Sequence, residues 1–218
     1  MTKRSDLRSA FGDPSQDKPL YLHNAQRTNM HVRSLGANAL KSPGKICAYC
    51  NNTRSQPHDR AWERLSKALR SKERPIMPGN VVRADRIFEC GASKEMLNVH
   101  LFFVKLFGCH IAGNDLPFDI AEFSSAILQD KAHPRIYLSF GCGDTFAGLP
   151  RTGMSDLLCD ISTSDGYATL AKWRYAVDGL VVEVTYANVT GNVGTILDLW
   201  HPRNGTGKLT IADYSQPS

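Results

Sequence analysis

Cys47 and Cys50 are separated by two residues in the run CAYCNNTRSQPHDRAW, and His58 follows in the same run. Two thiolates at this spacing reach one ion, because a short turn points both sulfurs the same way, and an imidazole extends the donor set. Zinc in a structural role suits such donors, and Cys47, Cys50, His58 and His23 are the candidate ligands. A lone C-x-x-C has two other readings, a redox dithiol and a chance pair of buried thiols. The redox reading predicts an exposed Cys47 of low pKa. Against it, the CNNTRSQP that follows is polar and interrupted by Pro57, unlike the apolar helix such a site normally opens.

The stretch from Ile46 through Cys47, Cys50, Asn51, Arg54 and Ser55 to His58 resembles the C-terminal half of the HNH endonuclease motif. The resemblance implies a β-hairpin followed by a helix that together hold one divalent metal, Mg²⁺ or Mn²⁺ where the module is catalytic. It implies His31 as general base, with Gly36 in the turn after it, and His58 as metal ligand. An asparagine would orient His31; Asn38 and Asn51 are both candidates, and the sequence does not choose between them. Such a centre hydrolyses phosphodiesters, since a neutral imidazole accepts a proton from water near neutral pH while a hard cation offsets charge on the phosphate. The chain departs from the family pattern at Met30, where an acidic or histidine ligand is usual, and it lacks an earlier C-x-x-C.

Charge is distributed unevenly. The net charge is +5, but residues 1–75 hold 15 Lys or Arg against 6 Asp or Glu, and residues 76–218 hold 11 against 15. Basic charge concentrated beside the cysteine motif is a footprint for a polyanion, because each phosphate neutralised releases counterions. Arg33, Lys45, Arg54, Arg60 and Arg64 are the candidate nucleic-acid contacts, DNA being favoured over RNA. The expectation is a metal-dependent nucleic-acid-binding protein, with HNH-type endonuclease activity as the enzyme function the resemblance implies. The competing expectation is a non-catalytic interaction protein, in which the cysteine knuckle is a structural clip and a sheet domain binds a partner. Small basic proteins of this kind suit phage and mobile-element genomes.

The elements that must position these residues divide at Pro75. Residues 1–19 carry Gly, Pro, Ser and Asp without periodicity and read as a flexible basic arm; residues 20–74 read as a loop-rich ββα, zinc-finger-like module. Its helix starts near Pro57, with Ala61, Trp62, Leu65, Ala68 and Leu69 at spacings of three and four. The stretch 71–80, with Pro75, Pro78 and Gly79, reads as a linker. Residues 75–218 read as an α+β domain, an antiparallel sheet of four to six strands packed against two helices, 94–109 and 118–129. Val177-Asp178-Gly179 lies between two β-rich runs and signals a tight hairpin, and 195–200 reads as a further strand. His100 and His110 read as core or rim residues, His133 and His201 as turn residues. No apolar run approaches the ~18 residues a membrane span needs. The N-terminus carries no secretory-type apolar stretch, so reduced thiols and a cytoplasmic location are expected, without a membrane partner.

Overall fold

In the computed structural model, the described residues are 3–24, 28–40, 46–71, 73, 75–143, 152–188, 193–204 and 207–215. They form an α+β fold, as expected, built on helices and a mixed sheet. The elements in order are α1 (Arg4–Phe11), β1 (Leu20–Leu22), β2 (Met30–Val32), α2 (Gln56–Leu69), β3 (Val81–Arg83), α3 (Ala92–Gly113), α4 (Ile120–Gln129), β4 (Ile136–Cys142), β5 (Thr152–Met154), β6 (Leu158–Ile161), β7 (Ala168–Val177), β8 (Leu180–Ala187), α5 (Val193–Ile196) and β9 (Lys208–Asp213).

The large sheet has seven strands in the order β3-β9-β4-β8-β7-β5, with β6 also pairing with β7. It is mixed, which the sequence reading did not anticipate, because β9 returns beside β4 in parallel, Phe140 facing Ile211. Asp178 and Gly179 take positive φ of 47° and 83° and join β7 to β8 in a two-residue turn whose twist matches the strands. Every residue of β8 is buried, whereas β7 alternates and points Ala171, Trp173, Tyr175 and Val177 into the core.

Helix α3 is buried on most faces through Met96, Val99, Leu101, Phe102, Phe103, Val104, Phe107 and Ile111. Contrary to the sequence expectation, it is long and apolar enough to cross a membrane by length and composition. Here that surface packs on α2, α4 and the sheet, as an all-round apolar helix at the centre of a core does. It runs past Gly108, the stop expected from sequence; a Cβ there would lie 3.4 Å from the Phe123 ring, so the glycine marks where α4 crosses closely. Residues 195–200 are not a strand: Val193–Ile196 is a helical turn, and Trp200 makes a single bridge to Leu138.

Two expectations about organisation are corrected. Residues 1–19 are not a loose arm throughout, because α1 is folded and Asp6 is 2% exposed beneath Trp62 and Tyr175. Residues 20–74 are not a unit with a core of their own. The stripe Ala61, Trp62, Leu65 and Leu69 on α2 enters the same core as α3 and the sheet, while the β1–β2 hairpin packs with Leu7, Leu20, Val32 and Leu35 in a separate small cluster against α1.

Candidate functional site

The helical run begins at the cysteines. Asn51 N–H donates to Cys47 C=O at 2.9 Å, and Ser55 N–H reaches back five residues to Cys50 C=O at 3.0 Å, a π-turn over Cys50–Arg54. Pro57 accounts for it: its ring crowds the carbonyl four residues earlier and it has no N–H, and a wider turn relieves both. The polar CNNTRSQP segment is therefore helical across Pro57 and leads directly into α2, while Cys50–Arg54 buries no residue and stays unlike an apolar helix.

Cys47 sits exposed at the start of this run and Cys50 is half-buried. The backbone N–H of Cys50 donates to Cys47 Sγ at 3.2 Å. Hydrogen bonding from the Cys50 thiol and N–H holds the Cys47 pKa below the usual thiol value, and the same contact pushes Cys50 up. Burial pushes the thiols of Cys109, Cys142 and Cys159 up.

His58 does not face the cysteines as a ligand would. It is 1% exposed on the inner side of α2, with Nε2 3.4 Å from Asp130 Oδ1. Burial lowers its pKa, with Asp130 partly opposing that shift. Beside it, Lys105 Nζ donates to Ser55 Oγ and to both Asp59 carboxylate oxygens at 3.0–3.1 Å. His31 lies on β2, paired with Tyr21 in the hairpin and exposed, in a shallow groove with Pro14, Ser15, Gln16 and Arg33. The order hairpin-then-helix implied by the HNH resemblance is present, but His31 lies in the exposed groove of the hairpin while His58 is buried against Asp130. His23 Nδ1 accepts from Asn29 N–H at 3.3 Å. Asn38 opens a short 3-10 turn, and Asn51 is exposed beside Asn52. Among the described residues no three His, Cys, Asp or Glu side chains converge as metal ligands do, so the described donors fit neither the four-ligand zinc knuckle nor a His31–His58 metal centre.

The basic residues separate into two kinds. Arg54 is a structural pin, donating to Leu128 C=O at 3.0 Å with its guanidinium 6.0 Å from the Tyr49 ring. Arg60 and Arg64 lie exposed on the outer face of α2, joined by Lys67, and the Arg64 guanidinium lies 5.4 Å over Phe88. Arg33 is exposed near His31; Lys45 falls outside the described residues. Compared with known proteins, the chain matches no family model, no curated sequence and no solved structure. Geometry alone therefore carries the functional reading.

Sequence reasoning missed Lys67, although its spacing of seven from Arg60 was legible. It also missed Arg86, which lines a groove with Ala68 and Leu69 at the end of α2 and reaches that position only through the turn after β3. His133 and His201 are more than turn residues. The N–H of His133 donates to His100 Nε2 at 3.1 Å, those of Arg135 and Arg203 donate to Nδ1 of His133 and His201 at 3.2 and 3.1 Å, and His201 Nε2 meets His133 C=O at 3.0 Å. These three rings tie α3 to the chain before β4 and after α5, a structural role.

Proposed function

We propose that this protein binds nucleic acid through the outer face of α2. The observation that supports it is a row of exposed cations on a helix whose acids make their ion pairs with other residues, although Glu63 also feels Arg60 and Asp85 feels Arg86. Helix α2 carries two acids, and both are engaged elsewhere: Asp59 by Lys105 and Lys3, Glu63 by Lys3 at 3.0 Å. Arg60, Arg64 and Lys67 are left along one exposed face with no ion pair among the described residues, and Arg86 continues the row. At ~1.5 Å per residue the three span ~10 Å, about three phosphates of one strand at ~3.4 Å spacing. Contacts of this kind position a backbone and carry no base sequence of their own.

The test is fluorescence anisotropy of the full chain with a labelled DNA duplex, a single-stranded DNA and an RNA of the same sequence, across a salt series. The triple variant R60E/R64E/K67E is expected to bind more than tenfold more weakly at low salt. The slope of log affinity against log salt should fall by about 2 to 3, from about 0.9 per duplex phosphate contact. Unchanged affinity and slope would remove the proposal.

A further inference from the structure

We infer that Cys47 and Cys50 form a dithiol–disulfide exchange site, with Cys47 as the attacking sulfur and Cys50 as the resolving one. The two cysteines lie within one helical turn, closed by Asn51 N–H donating to Cys47 C=O at 2.9 Å. The Cys50 N–H, 3.2 Å from Cys47 Sγ, stabilises negative charge on that sulfur. Exposure is graded in the useful order: Cys47 faces solvent, and Cys50 stands half-buried behind it. Exchange also needs two sulfurs and no more, whereas a zinc site needs donors that the described residues do not bring together.

The surroundings fit a disulfide carried on a polypeptide. Ile46 and Tyr49, on either side of Cys47, expose 36% and 61% of their surface, giving an incoming chain apolar ground beside the reactive sulfur. The Cys47 thiolate attacks one sulfur of the substrate disulfide, forming a mixed disulfide and releasing the other sulfur as a thiolate. Cys50 then loses its proton to solvent and attacks Cys47 Sγ; a Cys47–Cys50 disulfide forms and the second substrate thiolate leaves. Two electrons pass from the pair to the substrate, and a dithiol reductant restores the starting state.

The full chain is equilibrated in buffers of graded reduced and oxidised glutathione, and each cysteine is followed by alkylation and peptide mass spectrometry. A reversible two-electron transition confined to Cys47 and Cys50 is expected. C50S should accumulate a glutathione mixed disulfide on Cys47, at least tenfold faster than the exposed Cys90 is modified, and C47S should form none on Cys50 at that rate. Insulin, whose reduction reports a polypeptide disulfide, and oxidised glutathione as the small disulfide identify which substrate is turned over; loss of turnover of both in C47S is expected. Modification of Cys47 no faster than Cys90 would overturn the site. So would purified chain holding zinc on both cysteines with no disulfide forming anywhere in the series.

Discussion

The indole N–H of Trp62 donates to Asp6 Oδ2 at 2.8 Å, and the Tyr175 hydroxyl donates to the same oxygen at 2.5 Å. One buried carboxylate thus ties α1 to α2 and to β7. Tyr175 is held well above the usual tyrosine pKa by burial and by Asp6, so it stays a donor at any ordinary pH. Removing the acceptor leaves two buried donors unsatisfied, each costing about 1–3 kcal/mol. D6A is therefore expected to lose about 2–5 kcal/mol in urea unfolding, and W62F alone less, because Asp6 keeps Tyr175. Equal stability of D6A and the native chain would show that α1 does not hold its place.

How far this was legible varies by element. The Asp178-Gly179 hairpin, α2 to α4 and most strands follow from period and turn chemistry, which are local. The docking of α1 rests on Asp6, Trp62 and Tyr175, whose pairing is set by tertiary packing across the whole chain. The C-x-x-C was plain in the sequence, but not that Pro57 widens the preceding turn instead of ending the helix. His58 was singled out by its spacing from the cysteines; its burial depends on α3 and α4, which no local pattern reveals.

Acid should weaken the fold through its histidines. Burial is the main cause of lowered pKa values at His100 and His201, and it lowers His133 to about 4. The unfolded chain takes up these protons near pH 6.5 while the folded chain does not, so the stabilisation is complete above that pH. The His133 share is lost as the pH falls from about 6.5 to about 4, and those of His100 and His201 are lost in the same direction as the pH falls below about 6.5. Each such histidine contributes a slope of about 1.4 kcal/mol per pH unit within its window. Urea midpoints from pH 7.5 to 5 should fall steadily, and a flat profile would contradict the neutral histidine network.

His31 and His58 should behave differently. H58A opens a buried space beneath α2 and is expected to cost about 2–4 kcal/mol, while H31A, at an exposed hairpin position, should stay within about 0.5 kcal/mol. EDTA should leave both midpoints unchanged. Mg²⁺-dependent plasmid nicking abolished equally by both variants would instead show that the two rings meet at one metal.

Arg54 tests whether basic charge near the cysteines acts as a whole or residue by residue. R54A removes the hydrogen bond to Leu128 and the contact with Tyr49, so a loss of about 1–2 kcal/mol in stability is expected. Its effect on anisotropy should be under threefold at low salt, against more than tenfold for the α2 triple variant. A loss of binding as large as the triple variant's would extend the interface across the π-turn.

Gly141 lies in β4 between β8 and β9, where chain return beside a central strand leaves no room. A Cβ there would fall 2.6 Å from the Ala212 carbonyl oxygen and 2.5 Å from the Tyr214 ring. The ring can rotate away but the carbonyl belongs to the paired strand β9, held at the Gly141–Ala212 register. G141A should therefore cost about 1–3 kcal/mol by overpacking. Adding Y214A should not restore it, since the backbone contact persists. Full rescue by Y214A would mean that the aromatic ring alone demands glycine, and that β9 can shift to accept a methyl group.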